Sequence, residues 1–150
     1  MIDTRVLAIS VLLLPGLVDS HRHAAPAHVA VAGTEYAFVG LPATLPPGPT
    51  LFSFENRGKV RHEMSIARLR PGVTAQQVFQ QGPSAAGGKI MADQVVGILI
   101  GRVGESSGGE LLVDLQAGRR YLVVCSLKDL PDDRPHSAMG MFATIDVTAP

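Results

Sequence analysis

The chain has 150 residues, enough for one domain with a sizeable hydrophobic core. Its 13 basic and 13 acidic residues balance, so no basic surface is indicated and nucleic acid is not expected as a partner. Aromatic residues make up 5% of the chain and tryptophan is absent, which also argues against a stacking platform for bases. The 16 glycines and 11 prolines separate short apolar segments, a pattern typical of an all-β protein.

The amino-terminal segment has the features of a signal peptide. A basic residue precedes an almost wholly apolar run at 6–18, and small or tolerated residues follow it. The run is shorter than the ~20 residues that span a bilayer, so no stable membrane span is expected. We therefore predict a signal peptide over 1–20, a flexible tail over 21–28 and one folded domain over 29–150, in a protein that is periplasmic or secreted.

Short alternating segments predict the strands that follow. These segments lie at 29–31, 36–38, 51–54, 62–69, 110–115, 119–125 and 141–147. One short helix is predicted from Thr74 to Gln81, because Thr74 can cap a run of helix-forming residues. Residues 82–109 are expected to form an irregular insertion, in which the apolar stretch 95–100 is either another strand or a patch over the sandwich. The expected fold is a Greek-key β-sandwich of seven or eight strands.

Cys125 is the only cysteine, and the stretch after it is the most informative part of the chain. His136 and Met141 follow it on the loop between two predicted strands, and His62 begins an earlier strand. Since residues two apart in a strand share a face, His62, Cys125 and Met141 lie in phase with apolar neighbours. Two imidazoles, one thiolate and one thioether are the ligand set of a mononuclear type 1 copper site. These four residues are therefore candidate metal ligands.

Other interpretations of these residues stay open. A lone cysteine can be a buried, inert thiol, and an inward-facing His62 can be a core histidine bonded to the backbone. Met139 competes with Met141 as the axial ligand. If cleavage follows Ser20, the free amine and His23 of the mature chain can also bind Cu(II) in a square-planar manner.

The pattern resembles that of the cupredoxin, or blue copper, family. The matching residues are Asn56, Gly58, His62, Cys125, His136 and Met141. The spacing from His136 to Met141 is similar to that of plastocyanins and of the type 1 domain of copper nitrite reductases. The resemblance covers the chain from about residue 29 onward. It implies a cupredoxin-like sandwich with one type 1 copper site held by His62, Cys125, His136 and Met141.

Two features depart from the family pattern. Ten residues separate Cys125 from His136, whereas small electron carriers of the family have a short loop. The residue after the first ligand histidine is Glu63, where the family often has an asparagine that braces the ligand loop. The first departure predicts a loop that folds back compactly, and the second predicts looser surroundings for the site.

The resemblance implies an exported one-electron carrier that meets an unidentified redox partner protein, with electrons passing through His136 near the loop surface. Copper storage or delivery and a metal-free cupredoxin-like binding module are the alternatives. An enzyme is not expected, because His62 and His136 are the only histidines beyond the tail and offer no second copper centre. The protein is expected to be monomeric.

Overall fold

The computed structural model describes residues 25–81 and 91–149, so the predicted signal peptide and His23 lie outside the described residues. The described residues form nine strands: β1 (Ala27–Thr34), β2 (Ala37–Val39), β3 (Thr44–Leu45), β4 (Gly48–Asn56), β5 (His62–Leu69), β6 (Ala92–Gly101), β7 (Leu111–Leu115), β8 (Arg120–Val124) and β9 (Phe142–Val147). Helix α1 spans Ala75–Gln81, between β5 and β6. A 3₁₀ helix spans His136–Met139, between β8 and β9.

The strands form two sheets that pack face to face. One sheet has four strands in the order β2-β1-β4-β7, and the other has five in the order β3-β9-β8-β5-β6. Both sheets are mixed, because β1 pairs with β4 and β3 pairs with β9 in parallel, while the other pairs are antiparallel. The predicted β-sandwich with one short helix is confirmed.

The main core lies between the sheets and follows the alternation of side chains. In β4 burial alternates along the strand, so that Phe52 and Phe54 face the opposite sheet. Ile66 of β5 and Ile145 of β9 belong to the same buried cluster. In β5 burial does not alternate, and both faces of the strand are largely buried. The reason is a second buried cluster, which includes Val78 of α1 and covers the other face of the five-stranded sheet.

Helix α1 begins where its cap predicts. The N–H of Gln77 donates to the hydroxyl of Thr74 at 3.2 Å, and the N–H of Thr74 donates to the side-chain oxygen of Gln77 at 2.8 Å. This reciprocal pair is a capping box, which satisfies amide groups that the first helical turn leaves free. Across 25–81 and 91–149, no helix is long and apolar enough to cross a membrane.

Two expectations about strands differ from the structure. The stretch 95–100 belongs to β6, a ten-residue edge strand paired with β5, so the strand alternative is confirmed and the segment 82–109 is not wholly irregular. Two register shifts in the β5–β6 pairing break the period of two, and for this reason the sequence alone left both alternatives open. Strand β1 begins at Ala27, so the last two residues of the predicted tail belong to it.

Asn56, the last residue of β4, holds the turn that leads into β5. Its side chain is fully buried, and Nδ2 donates to the carbonyl oxygens of Val60 at 2.8 Å and Gly101 at 3.0 Å. Its Oδ1 accepts the N–H of Gly58 at 2.9 Å. The bonds to Val60 and Gly58 close the turn between β4 and β5, and the bond to Gly101 ties this turn to the end of β6. Together they position His62, the first residue of β5.

Replacement of Asn56 by alanine tests this anchor. Asn56→Ala leaves buried backbone groups without partners, so we expect the free energy of unfolding to fall by ~2 kcal/mol. Urea denaturation measures the change, with Gln94→Ala at an exposed position of β6 as the control, expected within ~0.5 kcal/mol of the parent protein. Equal stability of Asn56→Ala and Gln94→Ala would contradict the anchoring role.

Candidate metal centre

Three of the four predicted ligands meet at one end of the sandwich. His62 begins β5, Cys125 follows β8, and His136 begins the 3₁₀ helix. Their nitrogen and sulfur atoms lie within 4.8 Å of one another, and all three side chains are buried. The Nδ1 atoms of His62 and His136 are 3.1 Å apart, and Cys125 Sγ is 3.4 Å from His136 Nδ1.

Cys125 and His136 meet because the ten-residue loop between them closes on itself. The N–H of His136 donates to the carbonyl of Leu127, and the N–H of Ser137 donates to the carbonyl of Cys125, both at 2.8 Å. Beyond the loop, Cys125 N–H donates to Met141 O at 3.1 Å, and Met141 N–H donates to His136 O at 3.0 Å. The loop therefore folds back as expected, and backbone bonds hold the segments that carry the donor side chains.

Met141 lies at the same end of the sandwich. Gly140 ends the 3₁₀ helix with φ 110°, a conformation that side chains disfavour, and the chain then enters β9. Met141 is 0% exposed, and its methyl carbon would lie 3.2 Å from a Cβ placed at Gly33. Met139 instead lines a surface cavity beside Tyr36. Burial therefore favours Met141 over Met139 as the thioether of the site.

Glu63 braces the loop that carries Cys125. Its backbone N–H donates to Cys125 Sγ at 3.4 Å, and its carboxylate accepts the N–H of Ser126 at 2.9 Å. The expectation of looser surroundings is wrong, because the glutamate side chain reaches the residue directly after Cys125. The amide of Glu63 thus contacts the thiol itself, while its carboxylate holds the backbone directly after Cys125.

The ring of His62 fits against a glycine. A Cβ at Gly58 would lie 2.7 Å from His62 Nε2, so a larger residue would displace the imidazole. Beside it, the carboxylate of Glu35 accepts the backbone N–H of Lys59. His62 Nε2 itself is buried without a hydrogen-bond partner.

Burial disfavours charge on the donor groups. It lowers the pKa of His62, and the nearby His136 lowers it further. Burial also raises the pKa of the Cys125 thiol, against the opposing effect of the Glu63 N–H. Near neutral pH the copper-free cluster therefore contains a protonated thiol and an uncharged His62 ring.

The outer edge of His136 is covered. His136 is 0% exposed, its Nε2 lies 3.0 Å from Asp129 Oδ1, and its ring packs edge-on against Tyr36 with centroids 5.2 Å apart. His136 is thus not itself exposed, and Tyr36 and Asp129 separate its ring from the surface. Sequence reasoning missed Tyr36 as part of the site, since its contact with Asp129 spans 93 positions and leaves no local spacing signal. It also missed Asp129, which reaches His136 only because the loop between them folds back.

The donor set fits a transition-metal ion. An ion about 2.0 Å from each of two nitrogen atoms places them roughly 3–3.5 Å apart, and the two Nδ1 atoms are 3.1 Å apart. Both His62 Nδ1 and Cys125 Sγ lie near His136 Nδ1, which offers at most one lone pair, so the two groups cannot both donate to it. Buried polar groups with too few partners are costly, and an ion between them would satisfy the inward-facing donors. Thiolate with imidazole suits copper or zinc, and a buried thioether beside them favours copper.

Comparison with known proteins shows what the chain resembles. No protein-family model matches it, and no curated protein sequence does. Among solved structures, the dithionite-reduced auracyanin of the photosynthetic bacterium Roseiflexus castenholzii has a TM-score of 0.54 and 20% identity, over 84% of this chain and 99% of that one. Auracyanin B has a TM-score of 0.54 and 23% identity, over 83% of this chain and 91% of that one.

A third similar structure is auracyanin A, a blue copper protein from the green thermophilic photosynthetic bacterium Chloroflexus aurantiacus. It has a TM-score of 0.51 and 18% identity, over 83% of this chain and 100% of that one. At these identities the likeness concerns the fold. The chain has the fold of the auracyanins, and the resemblance to cupredoxins that the sequence predicted is confirmed at that level.

Proposed function

We propose that the protein binds one copper ion through His62, Cys125, His136 and Met141 and acts as a one-electron carrier. One observation carries this proposal: the only cysteine of the chain lies buried beside two histidines whose Nδ1 atoms are 3.1 Å apart. The similarity to auracyanins, one of which is named as a blue copper protein, supports the choice of copper.

The protein's own residues would fix the donors and exclude water. Copper, when bound to such a set, supplies a one-electron change between Cu(II) and Cu(I). His62, Cys125, His136 and Met141 are each 0% exposed, so water has no access to the space between them. Cys125 must give up its thiol proton to act as a ligand, while His62 must present an unprotonated Nδ1.

The bracing of the site favours electron transfer over storage or delivery. Delivery to another protein requires ligands that a partner can reach, whereas these donors are buried. Backbone bonds at Cys125 and His136 and the carboxylate of Glu63 hold the donors at fixed spacing. A site that moves little between oxidation states has a small reorganisation cost, which suits a carrier.

The same burial argues against catalysis, because a substrate would need an open position at the ion.

The proposal also includes export, based on the apolar run at 6–18, and an unidentified redox partner protein. A free thiol in an oxidising compartment is a hazard, and a bound ion would protect Cys125 from oxidation.

Cys125→Ser tests the thiolate. The parent protein is expected to develop an intense visible charge-transfer band on addition of Cu(II), and its Tm is expected to rise by roughly 10–20 °C, since copper binds only the folded state. Cys125→Ser is expected to fold, to stay colourless and to lose most of this stabilisation. Absorption spectroscopy and thermal melts measure both effects.

The control for this experiment removes the two histidines at the start of the predicted mature chain, of which His23 is the alternative ligand for Cu(II). A variant with His21 and His23 both changed to alanine is expected to keep the band and the rise in Tm. If Cys125→Ser binds copper as tightly as the parent while the histidine variant loses it, the ion is held by the tail and the type 1 assignment is wrong.

Met141→Leu tests the thioether. The axial bond of such sites is weak and long, so we expect the visible band to remain. Loss of the sulfur removes a donor to Cu(II), so the reduction potential is expected to rise by on the order of 59 mV, a tenfold change in relative affinity. Protein-film voltammetry measures the shift. The control is Met64→Leu, the same change at a buried core position of β5, which is expected to leave the potential unchanged. Equal shifts of the potential in the two variants would exclude Met141 as the ligand.

A further inference from the structure

Two side chains cover the edge of His136 that faces away from the cluster. Asp129 Oδ1 lies 3.0 Å from His136 Nε2, and the Tyr36 hydroxyl donates to Asp129 Oδ2 at 3.3 Å. The Tyr36 ring also packs edge-on against the imidazole. These three residues form a chain of contacts from the buried site toward the surface, where the Asp129 side chain is 33% exposed.

The contact with Asp129 determines which nitrogen of His136 carries the proton. An ionised carboxylate only accepts hydrogen bonds, so the 3.0 Å contact requires that Nε2 of His136 donates. In a neutral ring the lone pair then lies on Nδ1, the atom that faces Cys125 and His62. The ring is thus held in the state that a metal ligand needs.

Both covering residues occupy unusual positions in the chain. Asp129 lies in the ten-residue loop whose ends are closed by backbone bonds, and the length of this loop brings its carboxylate back over His136. Tyr36, in the turn between β1 and β2, has φ 58°, which is strained for a bulky side chain. Strain of this kind costs about 1–3 kcal/mol and concentrates at functional sites.

We propose that Asp129, held by Tyr36, is a positioning residue that fixes the proton of His136 on Nε2 and strengthens Nδ1 as a donor to copper. This inference rests on the proposed function. A histidine ligand whose other nitrogen donates to a carboxylate is a stronger electron donor, and it therefore favours Cu(II) over Cu(I). The carboxylate thus lowers the reduction potential of the site.

The copper-free protein gives the first test. In ¹⁵N-labelled protein, NMR is expected to show His136 protonated on Nε2, with a proton that exchanges slowly with water. Asp129→Ala is expected to lose this slow exchange, whereas Asp129→Asn, whose amide oxygen can still accept, is expected to retain it in part. A proton on Nδ1 in the parent protein, or one that exchanges equally slowly in Asp129→Ala, would overturn the proposal.

The reduction potential of the copper-loaded protein gives the second test. Asp129→Ala is expected to weaken Cu(II) binding about tenfold more than Cu(I) binding, which raises the potential by about 59 mV. Tyr36→Phe, which loses only the hydroxyl, is expected to shift it in the same direction by less. Asp132→Ala is the control, because it removes the same charge from an exposed position of the same loop.

The outcomes separate this inference from the proposed function. If the parent protein shows no visible band with Cu(II), the proposed function fails, while the proton measurement on His136 still decides whether Asp129 positions the ring. If the band is present and Asp129→Ala shifts the potential no more than Asp132→Ala, the effect is one of net charge, and the positioning role is overturned.

Discussion

Two backbone hydrogen bonds close the loop after Cys125, and the site depends on them. They join His136 N–H to Leu127 O and Ser137 N–H to Cys125 O, so the donor atoms of Cys125 and His136 are 3.4 Å apart despite ten intervening residues. Because these bonds involve only the backbone, the side chains within the loop remain free for other roles. The loop is longer than that of the small electron carriers, but its length does not prevent the donors from meeting. The extra residues include Asp129, which contacts His136.

The site places polar groups where a hydrophobic core would be more stable. His62, Cys125 and His136 are completely buried, and His62 Nε2 has no hydrogen-bond partner. An unsatisfied buried group costs ~1–3 kcal/mol, which the apolar packing between the sheets must offset in the copper-free protein. An ion that binds only the folded state adds its binding free energy to that of folding, so metal affinity and stability are coupled.

Much of the fold follows from local signals in the sequence. Alternation predicted β5 over 62–69 with its observed bounds, and the cap at Thr74 predicted helix α1. Strand β6 stayed one of two alternatives for 95–100, because two register shifts interrupt its period. The cluster of His62, Cys125 and His136 was predicted from residue types and strand phase. The distances between their donor atoms could not be predicted and come from the structure. Side-chain contacts over long sequence distances, such as Glu63 with Ser126 and Tyr36 with Asp129, have no local pattern and required the three-dimensional fold.

X-ray absorption at the copper edge of the loaded protein tests the central claim most directly. The extended X-ray absorption fine structure distinguishes sulfur from nitrogen in the first coordination shell of copper. The buried cluster predicts one short bond from copper to the sulfur of Cys125 and two bonds to nitrogen atoms of His62 and His136. The distant Met141 sulfur would contribute weakly because axial bonds in such sites are long. A first shell made only of nitrogen and oxygen would contradict the account, because copper would then lie outside the buried cluster.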